Sequence, residues 1–127
     1  MVSLKAFLLS LFWIYSLQND IPYTAVERAF NSQNALELVQ LGKDKMLISI
    51  GGKEGAYSHQ QAVMVLKDFF AKNPNGEFNF TFKGKPTADG SFSIGRYINK
   101  SEEFRITIHF KKLGSEVKIE RITIEKS

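Results

Sequence analysis

Hydrophobic residues recur at helical spacing in one stretch, Tyr57–Asn73, and at alternate positions through most of the chain that follows. In YSHQQAVMVLKDFFAKN, the residues Ala62, Val63, Leu66, Phe69 and Phe70 fall on one side of a helix, with Lys67, Asp68 and Lys72 off that stripe. The Ser58 hydroxyl can accept from an orphan N–H of the first turn, and Gln61 three residues on completes a capping box. Asn73-Pro74 stops the helix, because proline donates no N–H and disfavours helical geometry in its predecessor. Burying a large apolar side chain contributes roughly 1.5–3 kcal/mol. The Phe69-Phe70 pair is therefore expected in the core, with Phe70 also placed to line a cavity.

Upstream, Pro22–Phe30 carries Ala25, Val26, Ala29 and Phe30 on one helical face, with Asp20 as its expected cap. Ser32 is expected to cap a second helix over Gln33–Leu41 that turns Leu36, Val39 and Ala35 inward and stops at Gly42. The pair has only the outline of a helix–turn–helix, without a basic recognition face. Lys45–Ile50 predicts a strand with Met46, Ile48 and Ile50 on one side, and Gly51–Gly55 a flexible connector. That connector lacks the Gly-x4-Gly-Lys-Ser/Thr spacing of a phosphate loop.

Downstream, Asn75-Gly76 marks a turn, and Glu77–Lys83 alternates strictly, with Phe78, Phe80 and Phe82 on one face. Gly84–Gly90 reads as a loop. In Ser91–Asn99, Phe92 and Ile94 share a face that Tyr97 joins only across a bulge at Gly95-Arg96. Glu103–Lys112 alternates again, Gly114-Ser115 is a tight hairpin turn, and Glu116–Glu125 needs a bulge near Glu120-Arg121. Two bulges predict a strongly bent antiparallel sheet wrapped around the central helix, an α+β fold.

Composition changes this picture in two places. The 127 residues suit one domain, and a hydrophobic content of 43% supports a real core. Cysteine is absent, which excludes disulfides, thiol catalysis and cysteine-ligated zinc. At the start, Lys5 followed by the apolar run Ala6–Leu17 and polar Gln18-Asn19-Asp20 predicts a signal peptide over residues 1–18 ahead of a domain over 19–127. The run is short for a bilayer span. Cleavage is expected between Ser16 and Asp20, without an Ala-x-Ala site, and places the mature chain in the periplasm or outside the cell. Removing Lys5 lowers the formal net charge of +4 by one and leaves a modestly basic chain.

The order of elements resembles the cystatin-like and nuclear-transport-factor-2-like (NTF2-like) architectures, in which a curved sheet and helices enclose a cone. Tyr57-Ser58 with Gln61-Ala62, then Leu66, Phe69-Phe70, Phe82-Lys83-Gly84, Ile94-Gly95 with Tyr97, and Phe104-Arg105-Ile106 resemble the small exported bacterial family called domain of unknown function 4783. Tyr97 stands where that pattern has an aliphatic residue. The resemblance implies the fold and brings no activity with it.

Relatives on such cones include pocket enzymes with an inward carboxylate base and a tyrosine donor. Here the acids Glu77, Glu103, Glu116 and Glu125 fall on the outer phase or at strand ends, Glu120 at a bulge, and Asp68 off the stripe. His59 and His109 do not converge, so neither a metal nor a cofactor is expected. Phe78, Phe80 and Phe82 interleave with Lys83 and Lys85 as in single-strand binders, but their inward face argues against nucleic acid. Two sets of residues remain. Tyr57, Phe70, Phe92 and Tyr97 are the candidate mouth of a cone for a hydrophobic small molecule. Arg105, His109, Lys111 and Lys118 are the candidate outer face for a second copy or an anionic partner. The expectation is a non-catalytic binding or interaction module; a small isomerase- or dehydratase-like pocket enzyme and a structural homodimer are the alternatives.

Overall fold

The computed structural model describes residues 20–100 and 102–127. The expected signal peptide lies outside the described residues. Helix α1 spans Tyr23–Asn31 and α2 spans Ala35–Gln40. Strands β1 (Gly42–Ile50) and β2 (Lys53–Ser58) follow, then helix α3 (His59–Lys72). Strands β3 (Glu77–Lys83), β4 (Gly90–Asn99), β5 (Glu102–Leu113) and β6 (Glu116–Lys126) complete the chain.

All six strands form one sheet in the order β2-β1-β6-β5-β4-β3. Neighbours are antiparallel except β1 and β6, which run parallel. The last strand thus joins an N-terminal hairpin to a C-terminal meander. Helix α3 connects the two edge strands, β2 and β3, so it crosses the inner face from side to side. Its 14 residues measure about 21 Å at 1.5 Å per residue. Six strands spaced about 4.8 Å apart are about 24 Å wide. The helix matches the width of the sheet that curls around it.

The capping box forms as expected. Ser58 Oγ accepts from Gln61 N at 3.3 Å, and the Gln61 side chain accepts from Ser58 N at 3.2 Å. Ala62, Leu66, Phe69 and Phe70 are buried. They meet Phe30, Phe78, Tyr97 and Phe104 in a continuous aromatic cluster, with Phe30 stacked on Phe78 at 4.5 Å and Phe69 edge-on to Phe104 at 5.1 Å.

The N-terminal caps differ from expectation. Pro22, without a side-chain cap bond, precedes α1, and Ser32 closes it by bonding Arg28 O. Asn34, not Ser32, caps α2 by accepting from Glu37 N at 3.0 Å. The shift turns Ala35, Leu38 and Val39 inward and leaves Leu36 exposed. Gly42 begins β1 instead of stopping a helix. The expected connector at Gly51–Gly55 is a two-residue hairpin turn followed by β2. Both turn residues have positive φ, 60° at Gly51 and 86° at Gly52, the mirror-turn geometry that matches the twist of antiparallel strands.

The expected bulge near Glu120-Arg121 is present, where His109 pairs with Arg121 and Phe110 with Ile119. The bulge expected at Gly95-Arg96 is not, because β4 pairs with β5 without interruption. It lies on β3 instead, where Phe80 pairs with Gly95 and Phe82 with Ile94. The unpaired Thr81 reverses the phase of β3, and Phe82 emerges on the outer face, 49% exposed. On β4 the inward positions are Ser93, Gly95, Tyr97 and Asn99. Phe92 and Ile94 therefore point away from Tyr97, opposite to the shared face expected.

Candidate functional site

The four residues of the expected mouth separate. Tyr97 is fully buried, its ring among Phe30, Phe69, Phe70 and Phe104. Its hydroxyl donates to Asn73 O at 2.6 Å and accepts from Gly76 N at 3.3 Å. Burial pushes its pKa up, opposed by the bond from Gly76. It is a core tyrosine that ties the α3–β3 turn to β4. Phe70 belongs to the same buried cluster. Phe92 stands on the opposite side of the sheet, 5.5 Å from Phe82 and 5.8 Å from the His109 ring. Phe92 borders a smaller depression with His109 and Lys111, and of the four Tyr57 alone borders an open space on the inner face.

That space is a groove of about 720 Å³ at the end of the inner face where β1 and β2 meet. Strand β1 supplies Ile48 and Ile50, and β2 supplies Tyr57. Helix α3 supplies Met64, Val65 and Phe69, and β5 supplies Phe104. Phe69 and Phe104 form the wall between the groove and the filled aromatic end of the cone. Charged side chains stand at the border: Lys53 from β2, Asp68 and Lys72 from α3, and Lys126 from β6. Asp68 and Lys72 pair at 3.0 Å, one helical turn apart and exposed. The carboxylate at the groove is thus a solvated partner of a lysine rather than an acid held on an apolar floor.

The groove was not legible in the chain because its lining comes from five elements. One signal was there. Met64 and Val65 extend the apolar arc of α3 beyond the stripe that the aromatic core uses. The lysines are scattered at positions 53, 72 and 126 and carry no spacing to read.

The outer face assembles as expected in part. Arg105 and His109 on β5 point outward, and Lys111 pairs across the strands with Lys118. Lys83 does not join them. Beyond the Thr81 bulge it turns to the inner side, its ammonium 4.6 Å from the centre of the Tyr23 ring. Phe82, Phe92, Ile94 and Ile98 give this face an apolar strip instead. Burial holds His109 below the usual histidine range, helped by the Arg121 charge and opposed by Glu120. Arg96 bonds Glu103 across β4 and β5, which lowers the Glu103 pKa. Glu120 pairs with Lys43 at 3.2 Å. His59 bonds the Lys43 carbonyl at 2.7 Å, tying the first turn of α3 to β1. Among the described residues no cluster of three metal-ligating side chains occurs, and no helix is long and apolar enough to cross a membrane.

A family model described as domain of unknown function (DUF4783) matches residues 23–125. A DUF4783 protein of Bacteroides ovatus has a similar solved structure, with TM-score 0.78 and 29% identity over 86% of this chain and 97% of its own. An uncharacterised cystatin-fold protein of Novosphingobium aromaticivorans matches with TM-score 0.62 and 14% identity over 80% and 92% of the two chains. An NTF2-like protein of unknown function from Shewanella baltica matches with TM-score 0.63 and 7% identity over 82% and 86%. The last two share the fold alone. No curated protein matches the chain.

Proposed function

The chain belongs to the DUF4783 family, whose function is unknown, and from that premise we propose that it is an exported, non-catalytic module that binds an apolar small molecule. The observation that carries this reading is the open groove beside a filled aromatic core. A cone whose interior were wholly packed would have no room for a ligand. Here Phe30, Phe69, Phe70, Phe78, Tyr97 and Phe104 fill one end, and about 720 Å³ stays open at the other. Ligand sites are commonly apolar clefts of about 300–1,000 Å³ with a few polar groups at fixed places. Export rests on Lys5 and the apolar run Ala6–Leu17 ahead of the folded domain.

The test is binding of Nile red, a neutral apolar dye, to the mature chain. Fluorescence enhancement that saturates at one dye per chain, and that Tyr57→Asp and Val65→Asp weaken several-fold, is the expected result. Unsaturable or variant-independent enhancement refutes the groove as a site. Amino-terminal sequencing of the exported chain, with a start between residues 17 and 20, checks the leader.

A second reading, a homodimer through the outer sheet face, is favoured by one observation. Phe82 and Phe92 contact each other there while remaining 49% and 41% exposed, and neighbouring aromatics on a sheet face are typical of contact surfaces.

A further inference from the structure

The charges around the groove are one-sided. Lys53, Lys72 and Lys126 stand at its border against Asp68 alone. Asp68 is already engaged with Lys72 at 3.0 Å, and Lys126 lies 3.5 Å from Glu102. Lys53 makes no ion pair among the described residues. Apart from Asn73, whose side-chain amide donates to Phe69 O at 3.1 Å, the remaining lining is aliphatic or aromatic. Such a site separates two chemistries along its depth: hydrocarbon inside, excess positive charge at the water boundary.

We propose that the ligand is a single-chain amphiphile with an anionic head, a free long-chain fatty carboxylate. This rests on the groove being the binding site. The chain lies over Ile48, Ile50, Tyr57 and Phe69, where removing hydrocarbon from water supplies most of the affinity. The carboxylate stays at the mouth, because burying it unpaired would cost far more than the chain gains. Lysine suits that position. Its aliphatic stem covers apolar surface while its ammonium stays in water, so the three amines can meet a head group without being desolvated first. A neutral sterol-like or alkane ligand would gain nothing from the lysines. A cationic one would be repelled by them. Complementarity of charge at the mouth therefore selects the acid among molecules that share the same tail.

The experiment compares palmitate with cetyl alcohol and methyl palmitate, by calorimetry and native mass spectrometry on the delipidated mature chain. Palmitate is expected to bind once per chain and about tenfold more tightly than cetyl alcohol, the sum of a few exposed charge interactions. The preference should shrink as salt is raised from low to high, since exposed pairs are screened. The combined Lys53→Gln, Lys72→Gln and Lys126→Gln variant should lose the preference and keep its affinity for the alcohol. The same three positions changed to arginine should retain the preference, which separates charge from folding. Equal binding of acid and alcohol, or an unchanged preference in the glutamine variant, overturns the head-group inference and leaves the groove standing as an apolar site. Failure of all three lipids and of Nile red to bind removes the groove reading as well. Palmitate retained only on vesicles, with none bound to the chain in solution, also overturns the proposal.

Discussion

Two side chains show how single residues are tuned by where the sheet places them. Tyr97 gives up its surroundings of water for two backbone partners, Asn73 O and Gly76 N. Tyr97→Phe keeps the ring and leaves both partners short. Leaving buried groups unpaired costs about 1–3 kcal/mol, so an unfolding free energy lowered by that amount is expected, read as a lower urea midpoint with the slope of the transition unchanged. His109 is tuned the other way. The Phe92 ring and the β6 strand take it partly out of water, Arg121 opposes its charge, and Glu120 favours it. The folded chain therefore binds the His109 proton less readily than the unfolded chain does. Where the unfolded state binds more protons, stability rises with pH. Stability from this residue should fall as pH drops below about 6.5 and level off below the lowered folded value. His109→Gln should flatten the dependence of unfolding free energy on pH between neutrality and pH ~5. An equally steep dependence in the variant would place the titration elsewhere.

At the scale of elements, α3 is held at both ends by bonds that the local sequence could and could not announce. The Ser58–Gln61 box was readable, since each partner lies within one turn of the other. Ser58→Ala is expected to cost about 1 kcal/mol, measured by thermal or urea unfolding. The far end was not readable. There the Tyr97 hydroxyl donates to Asn73 O, the residue that ends the helix, at 2.6 Å across 24 positions of sequence, and Asn31 of α1 bonds both backbone groups of Phe78 on edge strand β3, at 3.1 Å and 2.8 Å, across 47 positions. The phase of β3 and β4 was misread for a related reason. Alternation in EFNFTFK suggests one uninterrupted face. Yet Phe78 lies over Gly95 so closely that any side chain there would enter the ring, and Tyr23 meets Ser93 at 3.4 Å. Small inward residues on β4 make room for large ones from β3 and α1. The apolar Phe92 and Ile94 are what this fit leaves outside, and a periodicity count cannot see it.

For the whole molecule, the groove and the outer face make separate predictions. The groove predicts a saturable apolar site unaffected by changes on the other side of the sheet. The outer face predicts a concentration-dependent dimer by light scattering that Phe92→Asp abolishes, because a charge in the centre of an apolar contact loses its hydration on association. A monomer at all concentrations would dismiss the second reading without touching the first. Sequence alone determined the elements whose cause is local: the capped central helix, the strict alternation of β5, the Gly114-Ser115 hairpin and the bulge at Glu120. It also determined the class of fold, since a long amphipathic helix followed by half-apolar strands can hide its stripe only under a curled sheet. The tertiary structure alone decided the parallel β1–β6 pairing, the strand made by Lys53–Ser58, the burial of Tyr97 and the exposure of Phe92. It decided the groove too, because its walls are held by residues up to 78 positions apart, from Ile48 to Lys126. The physical reason is the same in each case. Periodicity records which side chains avoid water, whereas shape complementarity between distant elements determines which of them touch and where a space is left.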